Sequence, residues 1–335
     1  MPVKSFREAV NEAIRQEMEL DASVILLGED IAGGHGGIPG SEGSTGNMFG
    51  VLKGLYDQFG AERVIDTPIS ESAIIGAAAG AALTGMRPVA ELMFMDFFGV
   101  CFDQIYNQAA KFRYMFGGQV STPMVIRGTV GAGFGAAAQH SQALWPIFTH
   151  IPGIKVVLPS SPYDAKGLLI QAIRDNDPVI FLEHKVLYDQ KGEVPDEPYA
   201  IPFGEANITR EGDDVTIVAF GRMVLFANQV ADKLAGEISV EVVDPRTTSP
   251  LDTETILESV EHTGRLIVVD EANPMCNLAS EVISTVAIEG LGYLVAPPIK
   301  ISAPHTPVPA ALNLEELYIP SPDEIEQAVR EVMAY

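Results

Sequence analysis

The chain has 335 residues, with 45 acidic against 21 basic side chains and a formal charge of −24. At 47% hydrophobic and 20% charged, it has length enough for a large core and two domains. The acidity argues against nucleic acid or an anionic membrane surface as partner, since either wants a basic patch.

Ser5 and Glu8 form a capping-box pattern, and Phe6, Ala9, Val10, Ala13, Ile14 and Met18 recur at helical spacing, so the chain is expected to open with an amphipathic helix. The start lacks the apolar core of a signal peptide. Val24-Ile-Leu-Leu27 reads as a buried strand that stops at Gly28, Glu29 and Asp30. A glycine-rich loop follows from Gly33 to Gly50. Strands are then expected at Val64–Asp66, Val89–Met93, Met124–Arg127, Val156–Leu158 and Val179–Leu182, with helices near 71–85, 99–115, 141–148 and 162–175. Short continuous apolar strands alternating with helices indicate a parallel sheet covered on both faces.

From His184 to Gly204 the rhythm breaks, with Gly192, Pro195, Pro198 and Pro202 among charges, and this stretch reads as a linker. A second alternation runs through 215–220, 224–235, 238–243, 253–261, 266–270, 276–289 and 298–301. The expected class is therefore α/β, with two open, mostly parallel sheet domains and helices on both faces. The boundary falls near 190–205: a domain at 1–190, a linker at 191–204 and a second domain at 205–335. The apolar run Ala73 to Leu83 is too short and too rich in Ala and Gly to span a membrane. Two distant cysteines, Cys101 and Cys276, exclude a disulfide scaffold and fit a reducing cytoplasm.

Ligands of open parallel sheets sit beyond the carboxyl ends of the strands. There the sequence puts Glu29-Asp30, Thr67 to Glu71, Phe94 to Phe97, the glycines from Gly128 to Gly135, and Gln139-His140. Gly131-Ala-Gly-Phe-Gly-Ala136 fits the dinucleotide fingerprint, but that motif needs an acid about 20 residues on, and Ala136 to Tyr163 has no Asp or Glu. Those glycines read instead as a loop where backbone can approach a neighbour or ligand. Glu71 opens an apolar helix, where a first-turn acid is favoured by the helix dipole whatever else it does. His140 sits between small residues and polar ones, as a cleft wall or a hydrogen-bonded structural histidine would. Phe97 lies in a Met/aromatic run that suits a core as well as a cofactor platform.

Taken together, these motifs resemble a known family. Gly28-Glu-Asp30, Asp66-Thr-Pro-Ile-Ser-Glu71, Ala136-Ala-Ala-Gln-His-Ser-Gln142, Ser161-Pro-Tyr-Asp-Ala-Lys-Gly167, Ala172-Ile-Arg-Asp175 and Val242-Val-Asp-Pro-Arg-Thr247 occur in the same order in the β-subunits of thiamine-diphosphate-dependent 2-oxo acid dehydrogenases. Gly50-Val-Leu-Lys-Gly-Leu55, Met93-Phe-Met-Asp-Phe97, Arg113-Tyr-Met-Phe-Gly-Gly118 and Pro304-His-Thr-Pro-Val-Pro309 look most like the acetoin dehydrogenase branch.

The resemblance implies a transketolase-like pyrimidine-binding domain and a transketolase C-terminal-like domain. It implies an α2β2 heterotetramer with thiamine diphosphate bound between α and β. The α-subunit holds the diphosphate and Mg²⁺ through a GDG motif, which is absent from this sequence. On the same ground Glu71 is the carboxyl that shares a proton with the pyrimidine ring nitrogen, and Phe97 the aromatic stacked on that ring. Glu29 belongs to a proton path between paired sites. His140 faces the substrate side and helps reductive acylation of the lipoyl group. A structural K⁺ is implied at Met124, Ala172, Ile173, Asp175 and Asp177, and docking to a lipoyl acyltransferase core is implied with His305 where an aspartate is common. The alternatives are a pyruvate or branched-chain 2-oxo acid substrate, a non-catalytic nucleotide-binding or assembly protein, and a transketolase, for which the chain is too short.

Overall fold

The computed structural model describes residues 1–33 and 46–335. Most of the glycine-rich loop expected between Gly33 and Gly50 therefore lies outside the described residues. The chain divides into two compact units, one of Met1–Val130 with Ile147–Pro202, the other of Gly131–Pro146 with Phe203–Tyr335.

In the first unit the strands stand in the order Lys155–Val157, Val179–His184, Val125–Val130, Arg87–Phe94, Val24–Glu29, Val64–Thr67, each parallel to its neighbour. The central ones are buried along their whole length, which is why they read as continuous apolar runs. The opening helix, Phe6–Leu20, starts at the expected capping box and buries the expected face. It packs on the helix Pro162–Arg174, and paired charges join the two: Arg174 donates twice to Glu17, at 2.8 and 2.7 Å, and Lys166 meets Glu12 at 3.0 Å.

Three expectations in this unit differ from the structure. The helix expected over 99–115 is three pieces: a 3-10 turn at Met95–Cys101, a π-helix at Gln104–Ala109 and an α turn at Phe112–Met115. The wide middle turn is held by Ala110 N–H donating to Ile105 O at 3.1 Å and by Asp103 accepting from both Asn107 and Gln108. The helix expected at 141–148 is only Trp145–Thr149, because Pro146 has no N–H to donate one turn back and is tolerated only in the first turn of a helix. The stretch 184–204 is not free chain. Lys191–Glu193 pairs antiparallel with Val3–Ser5, and Ile201 N–H donates to Gly167 O at 3.1 Å, tying it to the first unit.

The second unit has a five-stranded sheet in the order Ile299–Ser302, Leu266–Asp270, Val215–Ala219, Val240–Asp244, Asn207–Arg210. The first four strands are parallel and the last is antiparallel, an edge strand absent from the sequence reading. The helix Arg222–Leu234 lays Met223, Ala227, Val230, Ala231 and Leu234 into the core. Two further helices, Leu312–Tyr318 and Pro322–Val332, lie beyond the last expected element. The second had a legible signature: Ser321 and Glu324 make a capping box, and Ile325, Ala328, Val329 and Val332 are its buried stripe. Gly131–Pro146, expected with the first domain, belongs to this unit. Among the described residues no helix is long and apolar enough to cross a membrane.

Candidate functional site

In the first unit the acids converge at the carboxyl ends of neighbouring strands. Glu29 ends its strand beside Thr67, which ends the next, and Glu71 begins the helix Glu71–Leu83 four residues later. Asp30 turns the chain away with a positive φ of 55°, and Asp66 accepts from Ala32 N–H at 3.2 Å. The Glu29 carboxyl is pushed above its ordinary range by burial first, then by the charges of Asp30, Glu71 and Asp66. Glu29 and Glu71 are both half-buried. Ser70, at the helix start, gives its hydroxyl to Pro68 O at 3.2 Å and makes no side-chain cap bond, so Glu71 enters the first turn without a capping partner. The buried Cys101 thiol is pushed up to about 12 by burial, with the Glu71 charge adding to the rise. It is therefore an inert wall of this corner.

Phe97 follows the strand Arg87–Phe94 in the 3-10 turn. It is half-buried and meets Phe94 edge-on, with ring centroids 5.7 Å apart. Phe94 itself leans on Phe49 at 5.5 Å. The ring thus stands on a buried aromatic foundation with part of its surface open, as a stacking platform needs.

Just inside this corner lies a cluster that the sequence reading missed. Gly28 stands in register with Glu91, and a Cβ at Gly28 would come within 2.7 Å of the Glu91 Cβ, so only glycine fits there. Arg127 grips Glu183 with two hydrogen bonds, at 2.8 and 2.7 Å, and also donates to Glu91. The Tyr188 hydroxyl donates to Glu183 at 2.9 Å. All four side chains are buried. Two carboxyls share one guanidinium, and burial pushes the second of them, Glu91, up to about 7. The signal was available: Glu91, Arg127 and Glu183 are charges set inside otherwise apolar strands.

The positions named for K⁺ lie at the opposite, amino ends of the strands. Met124 precedes Val125–Val130, and Asp175 and Asp177 precede Val179–His184. Met124 O accepts from Val179 N–H at 3.0 Å, and Ala172 O accepts from Asp175 N–H at 3.3 Å. Arg87 donates to Ile173 O at 3.0 Å and Asp175 O at 2.9 Å. The Asp175 carboxylate takes Lys155, and Asp177 takes Arg113. Each of these four carbonyl oxygens thus already accepts a hydrogen bond, two of them from the Arg87 guanidinium. A cavity of about 630 Å³ opens at the same end, lined by Ala110, Arg113, Tyr114, Lys155 and Asp177.

The second unit holds the glycine loop. Gly131, Gly133 and Gly135 all have positive φ, and their neighbourhood explains why. Ala132 N–H donates to Glu271 at 2.6 Å, while Gly133 and Gly135 N–H donate to the two oxygens of Glu315 at 2.7 and 2.8 Å. A nest of backbone donors of this kind would hold phosphate. Here buried carboxylates of the chain itself fill it, which removes the basis of a nucleotide site at this motif. His140 is half-buried in the same loop, with its backbone N–H directed to Ala137 O at 3.4 Å. His305 is exposed.

Residues 3–191 match the transketolase pyrimidine binding domain, and residues 204–325 match the transketolase C-terminal domain. The β-subunit of acetoin:2,6-dichlorophenolindophenol oxidoreductase from Cupriavidus necator is 63% identical over 330 residues, covering 98% of this chain and 97% of that protein. The chain belongs to the family of acetoin and 2-oxo acid dehydrogenase β-subunits. The Bacillus subtilis subunit of the same name is 53% identical over 334 residues, covering 99% of this chain and 97% of that one. The β-subunit of 2-oxoisovalerate dehydrogenase from Bacillus subtilis is 44% identical over 338 residues, covering the whole of both. A split-gene transketolase in an inactive β4 tetramer superposes with a TM-score of 0.76 over 98% of both chains at 23% identity, a likeness of fold. In this family member Glu29, Glu71 and Phe97 share one unit, and His140 is carried by the other.

Proposed function

We propose that the chain is the β-subunit of a thiamine-diphosphate-dependent dehydrogenase that cleaves acetoin and transfers the acyl group to lipoamide. It would be active only with an α-subunit, in an α2β2 heterotetramer docked on a lipoyl acyltransferase core. The observation that supports this most is end-to-end likeness to an acetoin oxidoreductase β-subunit, coupled with the acid and aromatic corner at Glu29, Glu71 and Phe97. A 2-oxo acid substrate, pyruvate or branched-chain, is the second reading, favoured by the 44% identity to the 2-oxoisovalerate dehydrogenase subunit.

The corner fits the pyrimidine half of the cofactor. A carboxyl beside a weakly basic ring nitrogen is the group that can share a proton with it. Thiamine diphosphate, when bound, supplies a carbon nucleophile for the substrate carbonyl. Glu71 holds the proton at the pyrimidine nitrogen, Phe97 gives the ring a flat apolar seat, and Glu29, with its raised proton affinity, relays protons onward. His140 donates a proton to a developing lipoyl thiolate. Mg²⁺ and the diphosphate fall to the α-subunit, since this chain has no GDG sequence. K⁺ belongs at Met124, Ala172, Ile173, Asp175 and Asp177, where it would brace the sheet. The division into a pyrimidine-binding domain at 1–190, a linker at 191–204 and a C-terminal domain at 205–335 is part of the same reading. So is a cytoplasmic location, which suits the free thiols of Cys101 and Cys276.

Titration calorimetry tests the half-site directly. The isolated chain is expected to show no tight Mg²⁺-dependent binding of thiamine diphosphate, and the mixture with its α-subunit is expected to show it. Tight binding to the chain alone would refute the division of labour. A second expectation concerns His140. His140→Ala should lower the lipoamide-dependent rate by ~10²-fold, the range of one acid–base group, while reduction of dichlorophenolindophenol is much less affected. Parallel loss in both assays with a lowered melting temperature would make His140 a structural residue.

A further inference from the structure

The loop that carries His140 is tied at its start, across its turn and at its end by three acids of the second unit. Glu271 accepts from Ala132 N–H, and Glu315 accepts from Gly133 and Gly135 N–H. Asp270, the residue before Glu271, accepts from the Trp145 indole N–H at 2.9 Å. Gly131 N–H donates to Gln142 O at 3.3 Å, closing the loop on itself from the first of its glycines to a point three residues short of the helix Trp145–Thr149. The three acids are at most 1% exposed. Asp270 is held in turn by the backbone N–H groups of Ala272 and Leu278, at 3.0 and 2.9 Å. Arg222 lies close enough for the charges of Glu271 and Glu315 to favour its protonated form against the cost of burial.

Hydrogen bonds from backbone N–H to a buried carboxylate are charge-assisted and about twice as strong as neutral ones. Nothing in ordinary loop folding requires three of them on five residues. Glycine at 131, 133 and 135 supplies the positive φ that turns successive N–H groups toward one side. The segment held by Glu271 and Glu315 ends at Gly135, four residues before Gln139 and five before His140, so freedom left in the loop would be felt at the imidazole.

We propose that Glu315 and Glu271 are positioning residues for His140, holding its loop in the geometry that acyl transfer requires. This rests on the reading of His140 given above. Glu315 has the larger share, because one carboxylate spans two N–H groups. A Gln there keeps the size but turns an NH₂ group toward one of the two donors.

The test uses the reconstituted α/β enzyme. Glu315→Gln is expected to lower the lipoamide-dependent rate by about 10-fold to 10²-fold, the scale of a small misplacement of a reacting group, and to change dichlorophenolindophenol reduction less than about twofold. In the double variant with His140→Ala, the Glu315→Gln loss should vanish, because both act through one group. Histidine NMR of the isolated chain gives a readout apart from turnover: the His140 ring resonances should move in Glu315→Gln while those of the other five histidines hold. If His140→Ala shows no selective effect, the reading of His140 fails. If it does and Glu315→Gln shows neither the selective loss nor the resonance shift, the positioning role is overturned. Should Glu315→Gln melt below assay temperature, Gly135→Ala replaces it. There a side chain at φ 68° would meet Leu312 at 3.1 Å and displace the same loop, and it must give the same split between the two rates or the proposal falls.

Discussion

Glu71→Gln should lower turnover of the assembled enzyme by ~10²-fold or more, the loss typical of a general acid–base group. The substitution keeps the length and polarity of the side chain and removes only its capacity to hold and release a proton. As a helix-start acid alone, Glu71 would contribute ~0.3–1 kcal/mol through the dipole at a half-exposed site, and activity would stay near normal. The two readings therefore separate on rate rather than on stability. Steady-state rates with acetoin, paired with melting curves, decide between them. A large rate loss at an unchanged melting temperature is the expected result.

Arg127→Met should produce the largest loss of stability, about 3–5 kcal/mol, because it strands buried carboxylates without their shared cation. Glu183 would keep only the Tyr188 hydroxyl among the partners described, and Glu91 would lose its guanidinium contact. The effect has a pH signature. In the native fold Glu91 titrates at about 7 against an ordinary 4.5, because burial disfavours its charge. A group whose folded pKa is raised binds its proton more tightly in the fold. That stabilisation is fully present below about 4.5 and is lost as pH rises through about 7. Removing the guanidinium strengthens the trend, so Arg127→Met should be nearer wild type at pH 5 than at pH 8. Denaturant melts at both values check it. Equal destabilisation at the two would mean that packing, not charge, is what Arg127 supplies.

The parts of the molecule governed by local pattern were legible in the sequence. Phe6–Leu20 announced itself through a capping box and a 3.6-residue stripe, and the parallel strands through apolar runs buried on both faces. Glu29, Glu71 and Phe97 could be placed because the carboxyl ends of parallel strands collect functional groups. What escaped is set by distance along the chain. Glu315 holds Gly133 and Gly135 across 182 and 180 residues, and no local pattern links a short helix near residue 315 to a glycine motif near residue 133. The π turn at Gln104–Ala109 escaped for another reason: its residues are ordinary helix formers, and the widening comes from where Asp103 and Ile105 find partners. The buried Glu91, Arg127 and Glu183 were visible as charges among apolar residues, but their pairing depends on strand order, which spacing alone does not disclose.

Reconstitution tests the central claim most directly. This chain, its α-subunit, thiamine diphosphate and Mg²⁺ are mixed, and acetoin-dependent reduction of dichlorophenolindophenol is followed, with pyruvate and a branched-chain 2-oxo acid in parallel. The account predicts turnover in the complete mixture, fastest with acetoin, and none with either chain alone. Absence of turnover with all three substrates in a mixture that assembles and binds thiamine diphosphate would contradict it.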